Sequence, residues 1–364
     1  MPTKRLVSLD VLRGLTMLLL TLESTELFSV LGPALQGTAA YPVLTQFYHH
    51  PWHGLHLWDL VQPTFMFIAG TAMAFSLRKH RQEGMSWGQT FRKTLRRSGW
   101  LFFWGVLDYA VRKNGLSFEL WDVLTQLSFT TLVTFLIMDW PVVAQILVSA
   151  VCLLLPEFLY RAIHIPGFDQ PFTDQHNFGN YIDWVLMRKI NNGGWVAINC
   201  ISTSAHTIWG ALAGRLLLSD KTGREKLKWL LLAGVVLLLL GFGLDWTGIT
   251  PIIKRIATSS FVLASGGWCL LFLAAAYWWV DLCGHRKYIQ LFLLFGMNSI
   301  FIYLFFEIVA SRWFNEYVFA ITGGLLRIAD IGGVGAAIMG SLCVFALETE
   351  MLYFLYRKKI FFKL

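Results

Sequence analysis

The chain has 364 residues, of which 56% are hydrophobic and only 14% charged, with a formal net charge of +8. A soluble domain carries about a quarter of its residues as charges, whereas here the apolar residues fall in runs of about 20, the length that spans a bilayer. That argues against a soluble fold. A nucleic-acid partner is not expected either, because the 30 Lys and Arg are divided among short segments rather than gathered on one patch.

The expected fold class is all-α: one polytopic membrane domain over residues 1–364. Ten spans are predicted, at about 11–32, 57–77, 97–112, 120–138, 141–160, 195–218, 228–245, 256–280, 288–310 and 332–356. The segment Met1–Arg5 is basic, but the apolar run after it contains Arg13, Glu23 and Glu26, so it reads as a retained first helix rather than a cleaved signal. Ten spans put both termini on one side. That side receives 21 of the Lys and Arg, including Lys4, Arg5, Arg13 and the cluster from Arg78 to Arg97. The other side receives 9, including Arg112, Lys113, Lys254 and Arg255. The positive-inside rule makes the richer side, and both termini, cytoplasmic.

The first span carries Arg13 near its inner end and Glu23 and Glu26 near its outer end. Ionisable groups inside spans are costly and mark functional candidates. Glu23 and Glu26, three apart, would share a helix face. Arg13 lies ten residues from Glu23, about 15 Å along a helix, so the two cannot pair. Asp10, three before Arg13, can. Arg13 is then either an interfacial ion-pair member or part of an anion site. Further intramembrane polar groups are Asp108, Gln126, His206, Asn298, Glu307 and Glu348. The cysteines at 152, 200, 269, 283 and 343 form no CxxC pair and read as small apolar side chains.

Three outer segments exceed a turn: 33–56, 161–194 and 311–331, the last a candidate surface helix. The first leads into HHPWHGLHLWDLVQPTFMFIAG (49–70), with four histidines ahead of the second span. On a helix His49, His53 and His56 would share a face, but Pro51 fits a helix only in its first turn. Pro51 and Trp52 therefore read as a helix start, with His49 and His50 in the incoming loop. Three chemistries are open: a metal site, for which the cluster offers no cysteine or carboxylate; a proton relay with Glu23, Glu26 and His206; or a general base or nucleophile oriented by a carboxylate.

The pattern RLVSLDVLRGL, followed by H-x-x-W-x-G-x-x-x-x-D-L-x-x-P-x-F-x-F-I-x-G, resembles the heparan-α-glucosaminide N-acetyltransferase family and its bacterial relatives. The match is close over about the first 75 residues. KRIATSSFVLASGGW (254–268) and FGMNSIFIY (295–303) are also similar. The resemblance implies transfer of an acetyl group from cytosolic acetyl-CoA to an amino sugar or glycan across the bilayer. It implies His49 as the active histidine, since Trp52 and Gly54 follow at the family's spacing, with Asp59, Pro63 and Gly70 completing the motif. Arg5 and Arg13 stand at family positions suited to the anionic donor.

On that basis Glu23 or Asp59 is expected to orient His49, and Ser24 and Trp52 to meet the acceptor. Arg5, Asp10, Arg13, Gln126, Ser259, Ser260 and Asn298 are the candidates for the donor. No metal is expected. The expected setting is a bacterial inner membrane, with a homodimer allowed. Two departures stand out: Ser24 where the family has asparagine, and LTQL (124–127) where it has Leu-Gln-Arg. The rival readings are a sugar or proton-coupled transporter and a non-catalytic membrane partner. They differ on one geometric point, whether Arg13 and His49 open onto one continuous polar channel.

Overall fold

The computed structural model describes residues 6–112, 115–287 and 289–362. Among them there is no strand, only an isolated antiparallel bridge between His53 and Ile253. The chain opens with α1 (Val7–Ser24), α2 (Leu27–Leu35) and the short α3 (Tyr41–Thr45). A 3-10 turn at Leu57–Leu60 leads into α4 (Val61–Gln82), followed by α5 (Trp87–Ala110), α6 (Val123–Ile137) and α7 (Val142–Ala162). Then come α8 (Phe178–Met187), α9 (Asn199–Leu218), α10 (Gly223–Trp246) and α11 (Ser259–Ala276), the last running on as a π-helical turn to Leu282. The final elements are α12 (Gln290–Met297), α13 (Ser299–Phe305), a π-helical stretch Phe306–Phe314, α14 (Asn315–Ile328) and α15 (Gly333–Arg357).

Polar residues start several of these helices. Ser86 with Gln89, Asn177 with Asn180 and Thr222 with Glu225 form reciprocal capping boxes at α5, α8 and α10.

Five helices are long and apolar enough to cross a membrane, or seven if each bent pair is one span. The bent pairs are α1 with α2, at 66°, and α12 with the helix from Ser299 to Ile328, at 70°. All ten expected segments are helical, but α5, α6 and α9 fall outside that count for physical reasons. The first half of α5 carries Arg92, Lys93, Arg96 and Arg97. Helix α6 has only 15 residues. Helix α9 is rich in Asn, Ser, Thr and His, and packs against α4, α6, α7 and α11, so its polar side chains meet protein rather than lipid.

Helices α4 and α9 approach each other closely. A Cβ on Gly70 would lie 1.9 Å from the Thr207 carbonyl oxygen, and one on Gly210 would lie 2.0 Å from that of Phe67. Only glycine lets the two backbones approach so closely.

Two local expectations are corrected. Glu26 adopts a left-handed conformation (φ 63°) where α1 bends into α2, so Glu23 and Glu26 do not share a continuous helix face. The second span does not start at Pro51–Trp52. Residues 51–56 are irregular, and the helical turn begins at Leu57. Most of the segment 311–331 is helical, as α14, and continues the helix from Ser299 that forms one of the bent pairs.

Candidate active site

The site forms where the histidine segment meets the loop between α10 and α11. Gly54 N–H donates to the Ile252 carbonyl at 2.9 Å, beside the His53–Ile253 bridge. Gly54 sits at φ 146°, and a Cβ there would strike the His50 ring at 2.5 Å, so the motif's glycine is required by this contact. Asp245, at the end of α10, ties both strips together. Its Oδ1 lies 2.7 Å from His53 Nε2 and accepts from the Ile252 N–H at 2.8 Å. The zipped segments bring Lys254 beside His49, 205 positions away.

His49 Nδ1 is 2.9 Å from Asp59 Oδ1 and 3.1 Å from Lys254 Nζ, and Nζ is 3.5 Å from the same carboxylate oxygen. The other Asp59 oxygen accepts from the backbone N–H groups of His50 (3.1 Å) and His56 (2.9 Å). Asp59 is therefore a buried carboxylate with both oxygens satisfied. Trp58 and Trp195 flank the imidazole, with ring centroids at 6.5 and 5.6 Å. Burial first, then the Lys254 ammonium, pushes the His49 pKa down to about 4, against the pull of Asp59. Burial pushes Lys254 down to about 8. In the tautomer that donates Nδ1–H to Asp59, the Nε2 lone pair is free for a substrate; in the other, Nδ1 accepts from the Lys254 ammonium.

His49 and Lys254 line a cavity of about 660 Å3 whose far end holds Arg13, Ser76, Arg97 and Phe362. One face of α4 forms a wall along its length: Val61, Gln62, Phe65, Ile68, Ala69, Ala72 and Ser76. Val61 and Ser76 are about 22 Å apart along the helix axis, so the cavity follows most of a bilayer-scale helix. A second cavity, of about 860 Å3, adjoins it through Ser76, Arg97 and Phe362. It is basic and aromatic, with His80, Lys93, Arg96, Trp100 and Trp104 in its wall.

Toward the His49 end the cavity wall includes Tyr109, Arg112, Trp121, Asp122, Tyr303 and Glu307. The Tyr303 hydroxyl donates to Asp122 at 2.8 Å, and Asp122 also caps α6 through the Leu124 N–H at 2.7 Å. Behind them, Arg112 and Arg312 each pair with the buried Asp108 at 2.8 Å.

The sequence-derived candidates divide clearly. Asp59 reaches His49. Glu23 is not in the cavity wall, and the nearest carboxylate to the imidazole is Asp59. Ser24 donates to the Thr21 carbonyl of its own helix, and Trp52 donates to the Phe172 carbonyl, docking the segment that carries α8. Arg13 lines the cavity, with Asp10 3.6 Å away; Arg5 lies outside the described residues.

Gln126 accepts from Gln62, so it supports a wall residue rather than forming the wall. Ser259 donates to the Leu153 carbonyl of α7, while Ser260 donates to that of Pro251 and braces the loop that presents Lys254. Asn298 clamps the C-terminal segment, donating to the Ile360 carbonyl and accepting from the Phe362 N–H. The remaining histidines of the segment, and His206, have separate partners: His50 meets His56 edge to face, His56 Nδ1 meets the Tyr48 carbonyl, and His206 bonds Ser265 within the α9–α11 packing. Lys254 was missed as a site residue. Its signal was the KR pair of the segment 254–268, read only as loop charge.

This architecture is that of a multi-pass helical membrane protein with a cavity between its helices, apolar along much of its wall and charged at particular positions. Residues 5–187, half of the chain, match the family described as Domain of unknown function (DUF5009), and the chain belongs to that family. No curated protein matches it.

Proposed function

We propose that the protein is a ten-span acetyltransferase of a bacterial inner membrane, with both termini cytoplasmic. It would carry an acetyl group from cytosolic acetyl-CoA to an amino sugar or glycan on the other side. The carrying observation is that Arg13 and His49 line one cavity. A transferase acting across a bilayer needs that continuity. Glu23, Glu26 and His206, the groups named for a proton relay, are not in the wall, which instead carries His49, Asp122 and Glu307.

In this reading the basic cavity at the Arg97 end receives the phosphates of the donor, through Lys93, Arg96, Arg97 and Arg13. The pantetheine arm would extend along α4 and deliver the thioester to His49. His49 Nε2 takes the proton as the acceptor nitrogen or oxygen attacks the acetyl carbon. The C–S bond breaks, and the departing thiolate recovers that proton. In a two-stage route the same Nε2 carries the acetyl group first. Asp59 fixes the tautomer in both routes.

The test is label transfer from acetyl-CoA to a panel of amino sugars by purified full-length protein and by His49→Ala. Transfer by the parent and a loss of about 10²-fold or more in the variant is the expected result. Equal transfer by both would remove His49 from the chemistry. Uptake of a sugar into vesicles without acetyl-CoA consumption would favour transport instead.

A further inference from the structure

We infer that Lys254 is a positioning residue that keeps His49 neutral, because its ammonium, seated beside Nδ1, already uses the one carboxylate an imidazolium would need. Two basic groups and one anion converge here. Asp59 Oδ1 faces His49 Nδ1 at 2.9 Å and Lys254 Nζ at 3.5 Å, while the two nitrogens are themselves 3.1 Å apart. The other carboxylate oxygen is taken by two backbone N–H groups and has nothing to spare for a second cation.

Among the described residues, the surroundings add no further anion. The 3-10 turn contributes Trp58 and the segment before α9 contributes Trp195, neither of which titrates in the working range. Along the chain stand His50 and His56, packed edge to face, and the Lys254 loop adds the positive charge of Arg255. An ordinary amine holds its proton far more tightly than an imidazole. Lys254 therefore takes the charge, and a second proton on His49 would face an unbalanced cation at hydrogen-bond distance.

Asp59 alone would do the opposite, since a neighbouring carboxylate favours the charged imidazole. Lys254 thus reverses the usual effect of a His–Asp pair. It leaves the imidazole neutral, the form that a base or acyl carrier needs. The pKa directions agree: His49 is held down to about 4 and Lys254 keeps its charge up to about 8. The restraint is present across the interval in which an unaided His–Asp pair would gain its proton.

The inference deepens the transferase reading, which needs an unprotonated Nε2, but its measurement needs neither donor nor acceptor. Diethyl pyrocarbonate carbethoxylates neutral imidazole. Labelling of the detergent-purified full chain as a function of pH, read at the His49 peptide by mass spectrometry, gives the midpoint for His49. The wild type should give a midpoint near 4. Lys254→Met should raise it by about one pH unit or more, and Lys254→Arg should stay near wild type. Lys254→Gln is the second neutral variant if the Met variant fails to fold. An unchanged midpoint in either folded neutral variant overturns the inference. Failure of acetyl transfer with every acceptor would refute the transferase reading and leave this midpoint to decide the role of Lys254 by itself.

Discussion

His49 Nδ1 and Asp59 Oδ1 lie 2.9 Å apart, and that contact decides which ring nitrogen faces the cavity. Asp59→Asn keeps the shape, but its amide can present N–H instead of an acceptor to Nδ1. The tautomer would then reverse and Nε2 would carry the hydrogen. Transfer activity is expected to fall by about 10²-fold or more. Full activity in the variant would show that the orientation of His49 comes from elsewhere.

Asp183 pins α8 across the His49 end of the fold. It accepts from Trp121 Nε1 at 2.8 Å and from the Ala197 N–H at 2.9 Å. Asp183→Ala leaves both buried donors without a partner, at a cost of about 1–3 kcal/mol each. Hydrogen exchange in residues 178–187 should quicken while α4 and α9 remain protected. Unaltered exchange there would mean that other contacts hold the segment.

Burial pushes the carboxyl of Asp183 up to about 7. A group with a raised folded pKa stabilises fully below its unfolded value and loses that contribution as pH rises through the folded one. The α8 segment should therefore be best protected below about pH 4, loosen as pH rises from there toward about 7, and level off above it, after correction for intrinsic exchange. Asp183→Asn, which cannot ionise, should flatten that dependence. A slope that survives in the Asn variant would assign it to another group.

Asn298 holds the C-terminal segment through the Ile360 carbonyl at 3.1 Å and the Phe362 N–H at 3.0 Å, with Phe362 at the junction of the two cavities. Asn298→Ala removes both bonds. Trypsin cleavage after Arg357, Lys358 or Lys359 is expected to accelerate several-fold with the helical content intact. Equal cleavage rates would mean that the aromatic contact of Phe362 with Phe301, at 5.9 Å, suffices.

Gly70→Ala tests the α4–α9 contact. Its added methyl would sit 1.9 Å from a backbone oxygen, so the helices must separate. Overpacking of this kind typically costs about 1–3 kcal/mol. A clear drop in thermal midpoint is expected, whereas Gly243→Ala, with open space around it, should be neutral. Equal behaviour of the two variants would remove close packing as the reason for the glycine.

The sequence by itself determined the helical membrane character, since apolar runs of bilayer length leave the backbone no other way to satisfy its hydrogen bonds. It also singled out His49, Asp59 and Arg13, because motif spacing and intramembrane charge are local properties. Span number was less legible. Helix α9 looks too polar for lipid until its neighbours are known, and α5 carries its charges along the same helix as its apolar half.

What only the tertiary structure decided is the company each residue keeps. Lys254 meets His49 across 205 positions, through a backbone contact at Gly54 that no periodicity announces. Glu23, Ser24 and Ser260 were plausible by type and position, yet their side chains lie away from the imidazole. Hydropathy and spacing constrain one helix at a time. The pairing of a base with its carboxylate and its cation depends on how helices and loops pack, and packing is a property of the whole chain.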